Sequence, residues 1–175
     1  MNIFYLSHKT SRCARWHCDK HVVKMILETA QLLYTAHWVT SVKPDFSSAP
    51  TRKGSQERGY LSIRNKNHPS AIWARASLEH YVWLCQFGLA LCDEYRFRFG
   101  SNKKHACEDH IMWLYENPPA LGLNGWSQPT QAMPDIYRDK NSLIAYRKYY
   151  KYGKKDLLVY TKRHMPHWLT VVNDI

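Results

Sequence analysis

No run in this 175-residue chain is apolar over the ~20 residues that a membrane-crossing helix requires. Nor does Met-Asn-Ile-Phe-Tyr-Leu-Ser, at its start, supply a basic leader followed by a long apolar stretch. No membrane partner, insertion or export is expected. Five cysteines (Cys13, Cys18, Cys85, Cys92 and Cys107) form no C-x-x-C pair, which argues against a ribbon-type zinc site. Their odd number also argues against a disulfide framework, so they read as thiols of a reducing, cytoplasmic compartment. Glycine-rich phosphate loops, a G-x-S-x-G elbow and a dinucleotide fingerprint are all missing, which removes the common nucleotide-cofactor enzymes and leaves no cofactor implied. Acidic residues are scarce, 14 against 25 lysines and arginines, and the resulting +11 charge favours a polyanionic partner. With 12 tyrosines and 7 tryptophans available to stack on bases, that partner is expected to be nucleic acid, DNA first.

The hydropathy pattern predicts an all-α, compact single-domain helical bundle over 1–175, with a short strand or extended arm at 2–7. A first long helix is predicted from Ser11 to Ala36, with Val22, Met25, Ile26, Ala30 and Leu33 on its apolar side. Proline, serine, glycine and charge dominate 40–60, part of a long basic loop over 40–66. Pro69 suits the first turn of a second helix that runs to Gly100, capped by Asn67 or His68. Ser101 is placed to cap a third that stops at Pro118-Pro119, and a last helix spans about Asn141 to Tyr152.

Within the first helix, His17, His21, Lys24, Glu28, Gln31 and Thr35 recur at steps of four and three and line one narrow face. A solvated face with an ordinary Lys24–Glu28 ion pair would produce the same spacing. The composition nevertheless favours groups that titrate near neutrality or make directed hydrogen bonds, which suits acid–base work. Metal binding is the rival chemistry, from His17 with His21 and from Cys107 between His105 and His110; no third ligand has family-type spacing, so no metal is assigned. From Arg138 to His164 nine lysines and arginines face only Asp139 and Asp156, a local charge of +7. There Tyr146-Arg147-Lys148-Tyr149-Tyr150-Lys151-Tyr152 interleaves aromatics with cations, a composition for phosphate contacts beside a stacking platform, or for a basic helix packing its tyrosines on the core. Asn67-His68-Pro69 and Gln131-Ala132-Met133-Pro134 set polar side chains beside prolines, as base-edge contacts or as caps and turns.

The segment from Cys18 to Gln31, with Asn67-His68-Pro69 through Trp73 and Tyr81-Val82-Trp83-Leu84, resembles a group of phage proteins that are similar in turn to bacterial pyrimidine-dimer DNA glycosylases. The likeness covers most of the chain apart from the 40–60 loop. It extends to the endonuclease V type, whose D-x-H, apolar residue, five more and then catalytic Glu is matched by Asp19-Lys20-His21-Val22 and Glu28, and whose W-Y-K-Y-Y-G tail is similar to Tyr146–Gly153. The resemblance implies Glu28 as the catalytic carboxylate with His21 beside it; to these the residue pattern adds Asp19 and Lys24 as catalytic candidates and His17, Gln31, Asn67, His68 and Gln131 as substrate contacts. It implies double-stranded DNA held by Lys20, Arg64, Lys66, Arg138, Arg147, Lys148, Tyr149, Tyr150 and Lys151, by a monomer, in the host cell cytoplasm if the chain is phage-encoded. One position departs. That family uses the α-amine of a small residue exposed when the initiator Met is removed, whereas position 2 here is Asn, whose bulk is expected to keep Met1 in place. The Met1 amine or Lys24 then remains to form a Schiff base on an extruded pyrimidine. The scaffold equally suits a phage enzyme that attaches a free amino acid, as second substrate, to a 5-hydroxymethyl pyrimidine. A non-catalytic DNA-binding protein is the third reading.

Overall fold

The structure, a computed structural model, describes residues 1–170. Among the described residues seven helices succeed one another: α1 (Thr10–Trp16), α2 (Asp19–Thr40), α3 (Pro69–Ala76), α4 (Leu78–Phe99), α5 (Glu108–Glu116), α6 (Ser142–Gly153) and α7 (His167–Thr170). Short 3-10 turns fall at Asp135–Tyr137 and Lys155–Leu157. The fold is all-α; among the described residues no strand forms, and no helix is long and apolar enough to cross a membrane.

The two 22-residue helices α2 and α4 pack along each other as the central pair, flanked by α1, α3 and α5. Val22, Met25, Ile26, Ala30 and Leu33 are all buried in that seam, as their spacing predicts. Gly88 permits the approach: a Cβ there would stand 2.8 Å from Thr29 Cγ2 and 2.9 Å from Ile111 Cδ1, so any side chain would push α4 off both neighbours. Pro69 opens α3 while His68 caps it, its ring nitrogen accepting from the Ser70 N–H at 3.2 Å. Asn141 caps α6 in the same way through Leu143, 2.9 Å away.

Three boundaries differ from the periodicity. The helix predicted from Ser11 to Ala36 breaks at His17-Cys18, where Cys18 is extended (φ −69°, ψ 162°). Beyond the break Asp19 is held by Arg98 Nη1 at 2.9 Å and by Thr161, through its N–H at 3.0 Å and its Oγ1 at 2.7 Å. The helix predicted from Pro69 to Gly100 breaks at Ser77 (φ −155°, ψ 149°), because the Leu78 N–H turns to the Gly122 carbonyl and Ser77 Oγ accepts from the Asn124 N–H. Ser101 caps nothing; the next helix begins seven residues later, at Glu108.

Residues 2–7 are an extended arm, buried throughout. Buried backbone polar groups need partners, and with no neighbouring strand they come from side chains. The Asn2 N–H donates to Glu28, the Leu6 N–H donates to Cys13 Sγ, and the Leu6 carbonyl accepts from Arg147 Nε at 3.1 Å. Arg98, itself fully buried, ties three more segments together by pairing with Glu94 and Asp19 and donating to the Arg15 carbonyl; Arg163 closes the network on Glu94. The basic loop after α2 is pinned too, by Trp38 Nε1 on the Tyr60 carbonyl and by the Ile63 N–H on Thr35 Oγ1.

Candidate active site

The break before Asp19 sets the phase of α2 so that Lys20, His21, Lys24, Met25 and Glu28 face one cavity of about 430 Å³. The arm closes one wall with Met1, Asn2 and Phe4, and the opposite side is Ala132, Tyr149, Lys154 and Leu157. Four stretches far apart in sequence therefore build it.

Glu28 is buried at 8% exposure with both oxygens directed. Oε2 accepts the Asn2 backbone N–H at 2.8 Å, and Oε1 lies 3.4 Å from Lys24 Nζ, which reaches out to solvent. Asn2 holds the arm against it. Its Nδ2 donates to the Ala132 carbonyl at 2.7 Å, while its Oδ1 accepts from the N–H groups of Ile3 and Phe4 at 2.8 and 3.1 Å. That turn carries Phe4 into the left-handed region (φ 50°), a conformation a non-glycine residue keeps only when its surroundings impose it. The consequence is a Phe4 ring lying flat on the His21 imidazole, centroids 4.3 Å apart and planes 18° apart.

His21 sits at the back of the cavity. Burial, reinforced by His17, Lys154 and Lys24, pushes its pKa down to about 3, so it is neutral at physiological pH. The Tyr150 hydroxyl accepts the Cys18 N–H at 2.7 Å and lies 2.9 Å from His21 Nδ1. In the tautomer in which Nδ1 accepts from that hydroxyl, neutral His21 presents an N–H donor at Nε2. Cations dominate the remainder: among the described residues, Lys20, Lys24, Lys154 and Met1 share the cavity with a single carboxylate, Glu28. Lys154 Nζ stands 4.8 Å above the Tyr149 ring and 5.9 Å above Phe4, a cation held by two aromatic faces. His68 lies close enough for the Met1 amine and Glu28 to act on its titration, which burial foremost and then that amine lower while Glu28 opposes them.

Of the residues expected to be catalytic, Glu28, His21 and Lys24 come together and Asp19 does not. Burial works to raise the Asp19 pKa, yet Thr161 and Arg98 outweigh it and hold the carboxyl below its usual range, a structural anchor at the start of α2. His17 is fully buried behind the site, its Nδ1 donating to the Cys13 carbonyl at 2.7 Å, and does not line the cavity. Gln131 is spent on Asp139, its amide bridging that residue's N–H and carbonyl beside the cavity wall. Gln31 and Asn67 do not line the cavity, and His68 serves as the α3 cap.

The expected DNA contacts divide. Lys20 and Tyr149 line the cavity, and Arg64 and Lys66 are exposed on the loop before α3. Arg138 is exposed near Asp135, Lys148 pairs with Asp139 at 3.0 Å, and Lys151 lies 5.4 Å over the Tyr152 ring. Two move inward. Tyr150 is 0% exposed, its hydroxyl spent on Cys18 and His21, and Arg147 is half-buried between Trp16 and Trp168 with its Nε on the arm. An amphipathic α6 must bury one face, and these residues are on it. As cavity residues Phe4, Lys154 and Leu157 escaped the sequence reading, which took Asn2 only for its bulk and Ala132 only within Gln131-Ala132-Met133-Pro134; Lys154, inside the +7 stretch, carried a compositional signal.

Residues 1–109 match the protein family described as pyrimidine dimer DNA glycosylase. No curated protein and no solved structure was found to match the chain.

Proposed function

This chain belongs to the pyrimidine dimer DNA glycosylase family, a family of DNA-acting enzymes, and from that premise we propose that its cavity receives a pyrimidine nucleotide extruded from duplex DNA. The observation that carries the reading is the meeting of Glu28, His21 and several amines in one cavity of about 430 Å³ lined by aromatic side chains. Reaction at a base inside a duplex requires the nucleotide to leave the stack. The cations at the mouth, Lys20 and Lys24 from α2 and Lys154 beyond α6, suit the flanking phosphates.

An amine from Met1 or Lys24 attacks C1′ as the C1′–N1 bond breaks. The base departs with the electron pair and takes up the proton that the amine surrenders through Glu28. Opening of the C1′–O4′ bond moves the remaining N–H proton to O4′ and leaves an imine, which water hydrolyses to free the amine. Neutral His21 donates through Nε2 to the departing base or to the sugar. The test is borohydride trapping on duplex DNA carrying a thymine dimer, with intact masses of protein and DNA. Wild type gives a covalent adduct and Glu28→Gln, still binding DNA, gives none; full trapping by Glu28→Gln would remove Glu28 from the mechanism.

A second reading is favoured by one contact. In the endonuclease V type the position-2 nitrogen is the attacking amine, whereas with Met1 retained the Asn2 nitrogen is a peptide amide already donating to Glu28. The space before Glu28 is then free for an amine brought by another molecule. On a phosphorylated 5-hydroxymethyl pyrimidine, a free amino acid forms a C–N bond at the exocyclic methylene as the C–O bond to phosphate breaks, Glu28 accepting the amine proton. A DNA mass gain with amino acid and without a trapped adduct assigns this reaction; an adduct without mass gain assigns the glycosylase.

A further inference from the structure

The loop that delivers Ala132 to the cavity wall continues through Met133 and Pro134 into the turn Asp135–Tyr137. Ile136, the middle residue of that turn, is 81% exposed, although its neighbours on either side are fixed. Met133 is buried and Pro134 stiffens the entry to the turn. Tyr137 packs its ring against Tyr149, a cavity residue, at 5.1 Å between centroids. That packing is close: a Cβ on Gly153 would come within 2.6 Å of Tyr149 and 3.1 Å of Tyr137. Asp135 pairs with Arg138 across the turn, and Lys140 and Lys148 follow near it in the sequence and on α6. A branched apolar side chain thus stands in water on a turn joined to the cavity wall, with the cations Arg138 and Lys140 and the carboxylates Asp135 and Asp139 beside it in the chain. Ile136 does not itself line the cavity; it stands outside the wall, four residues beyond Ala132, whereas Val42, also exposed, lies in the loop after α2.

We propose that Ile136 is a wedge that enters the base stack beside the target and holds open the gap left by the extruded nucleotide, a positioning residue rather than a catalytic one. The inference rests on the base-extrusion reading above. Apolar side chains inserted between base steps recover part of the unstacking cost by burial, and neighbouring cations bring the duplex phosphates to them. A rigid mount matters because a mobile side chain would lose in ordering entropy what it gains in the stack.

The test uses the full chain and a duplex carrying 2-aminopurine next to the target pyrimidine, which fluoresces when it is unstacked. Wild type raises the fluorescence. Ile136→Ala, expected to fold because the side chain touches little, keeps duplex affinity within about threefold yet loses most of the increase and about tenfold or more in reaction rate. Ile136→Leu restores both, and Val42→Ala changes neither. On a duplex with an abasic site opposite the target, where the stack is already open, the Ile136→Ala deficit disappears. An unchanged fluorescence rise in Ile136→Ala, or an equal rate deficit on the pre-opened duplex, overturns the wedge and leaves base extrusion standing. No rise with wild type bound to the duplex overturns base extrusion itself, and the wedge with it.

Discussion

Replacing Asn2 by leucine keeps the bulk at position 2, and hence Met1, while removing every polar contact of the side chain. Three hydrogen bonds vanish, and the N–H groups of Ile3 and Phe4 and the Ala132 carbonyl lose their partners. A buried group left unpaired costs about 1–3 kcal/mol, and the left-handed Phe4 adds strain of about 1–3 kcal/mol that Asn2 now offsets. The cavity is open enough for water to reach some of these groups, so we expect a net loss of about 3 kcal/mol rather than the full sum. For a chain of this size that lowers Tm by about 6–12 °C. Because the same turn brings the Asn2 N–H to Glu28 and Phe4 onto His21, activity should fall further than the fraction unfolded explains. Thermal melts followed by circular dichroism, with the activity assay run well below the melt, measure both. Asn2→Ser supplies the contrast: it keeps an acceptor for Phe4 and is small enough for Met1 removal, placing a true α-amine 2.8 Å from Glu28. A Tm for Asn2→Leu within about 1 °C of wild type, where about 6 °C or more is expected, would show that Asn2 does not hold the arm.

Arg98→Met leaves Glu94 and Asp19 without their buried guanidinium, which should cost about 3–5 kcal/mol; urea unfolding checks this, and a loss below about 1 kcal/mol, well short of that range, would refute the anchoring role. Acid should destabilise the protein through its buried neutral histidines. Burial pushes His17 and His37 down to about 4 and His21 down to about 3, so the unfolded chain binds protons that the folded one refuses. Their contribution is complete above about pH 6.5 and is lost as the pH falls toward 4, at up to about 1.4 kcal/mol per histidine per pH unit. Three histidines then remove about 5 kcal/mol between pH 7 and pH 5, a Tm drop of about 10–20 °C, and a flat profile would contradict the burial of these rings.

The all-α class, the apolar seam of α2 and the cap of α3 were legible because local periodicity and capping chemistry decide them. The breaks at His17-Cys18 and Ser77 were not, because each is settled by a distant partner: Arg98 and Thr161 on Asp19, Gly122 and Asn124 at Ser77. The arm was legible as extended but not as strandless, since its satisfaction by Cys13, Glu28 and Arg147 exists only in the folded chain. In the site, the i, i+3, i+7 spacing of His21, Lys24 and Glu28 identified the face of the helix that turns to the cavity. Periodicity also placed His17 on that face, where the break in the helix removed it, and composition offered Tyr150 to DNA, where burial removed it. Asn2 left no trace in composition or spacing; its role follows from one turn of backbone.

The cavity draws its chemistry and its shape from different parts of the chain. Glu28, His21 and Lys24 lie inside the family-matched residues 1–109, whereas Ala132, Tyr149, Lys154, Leu157 and the turn bearing Ile136 all lie beyond them. On the function proposed above, a change confined to the chain beyond residue 109 would therefore reshape one wall of the cavity, and with it what fits there, while leaving Glu28, His21 and Lys24 in place.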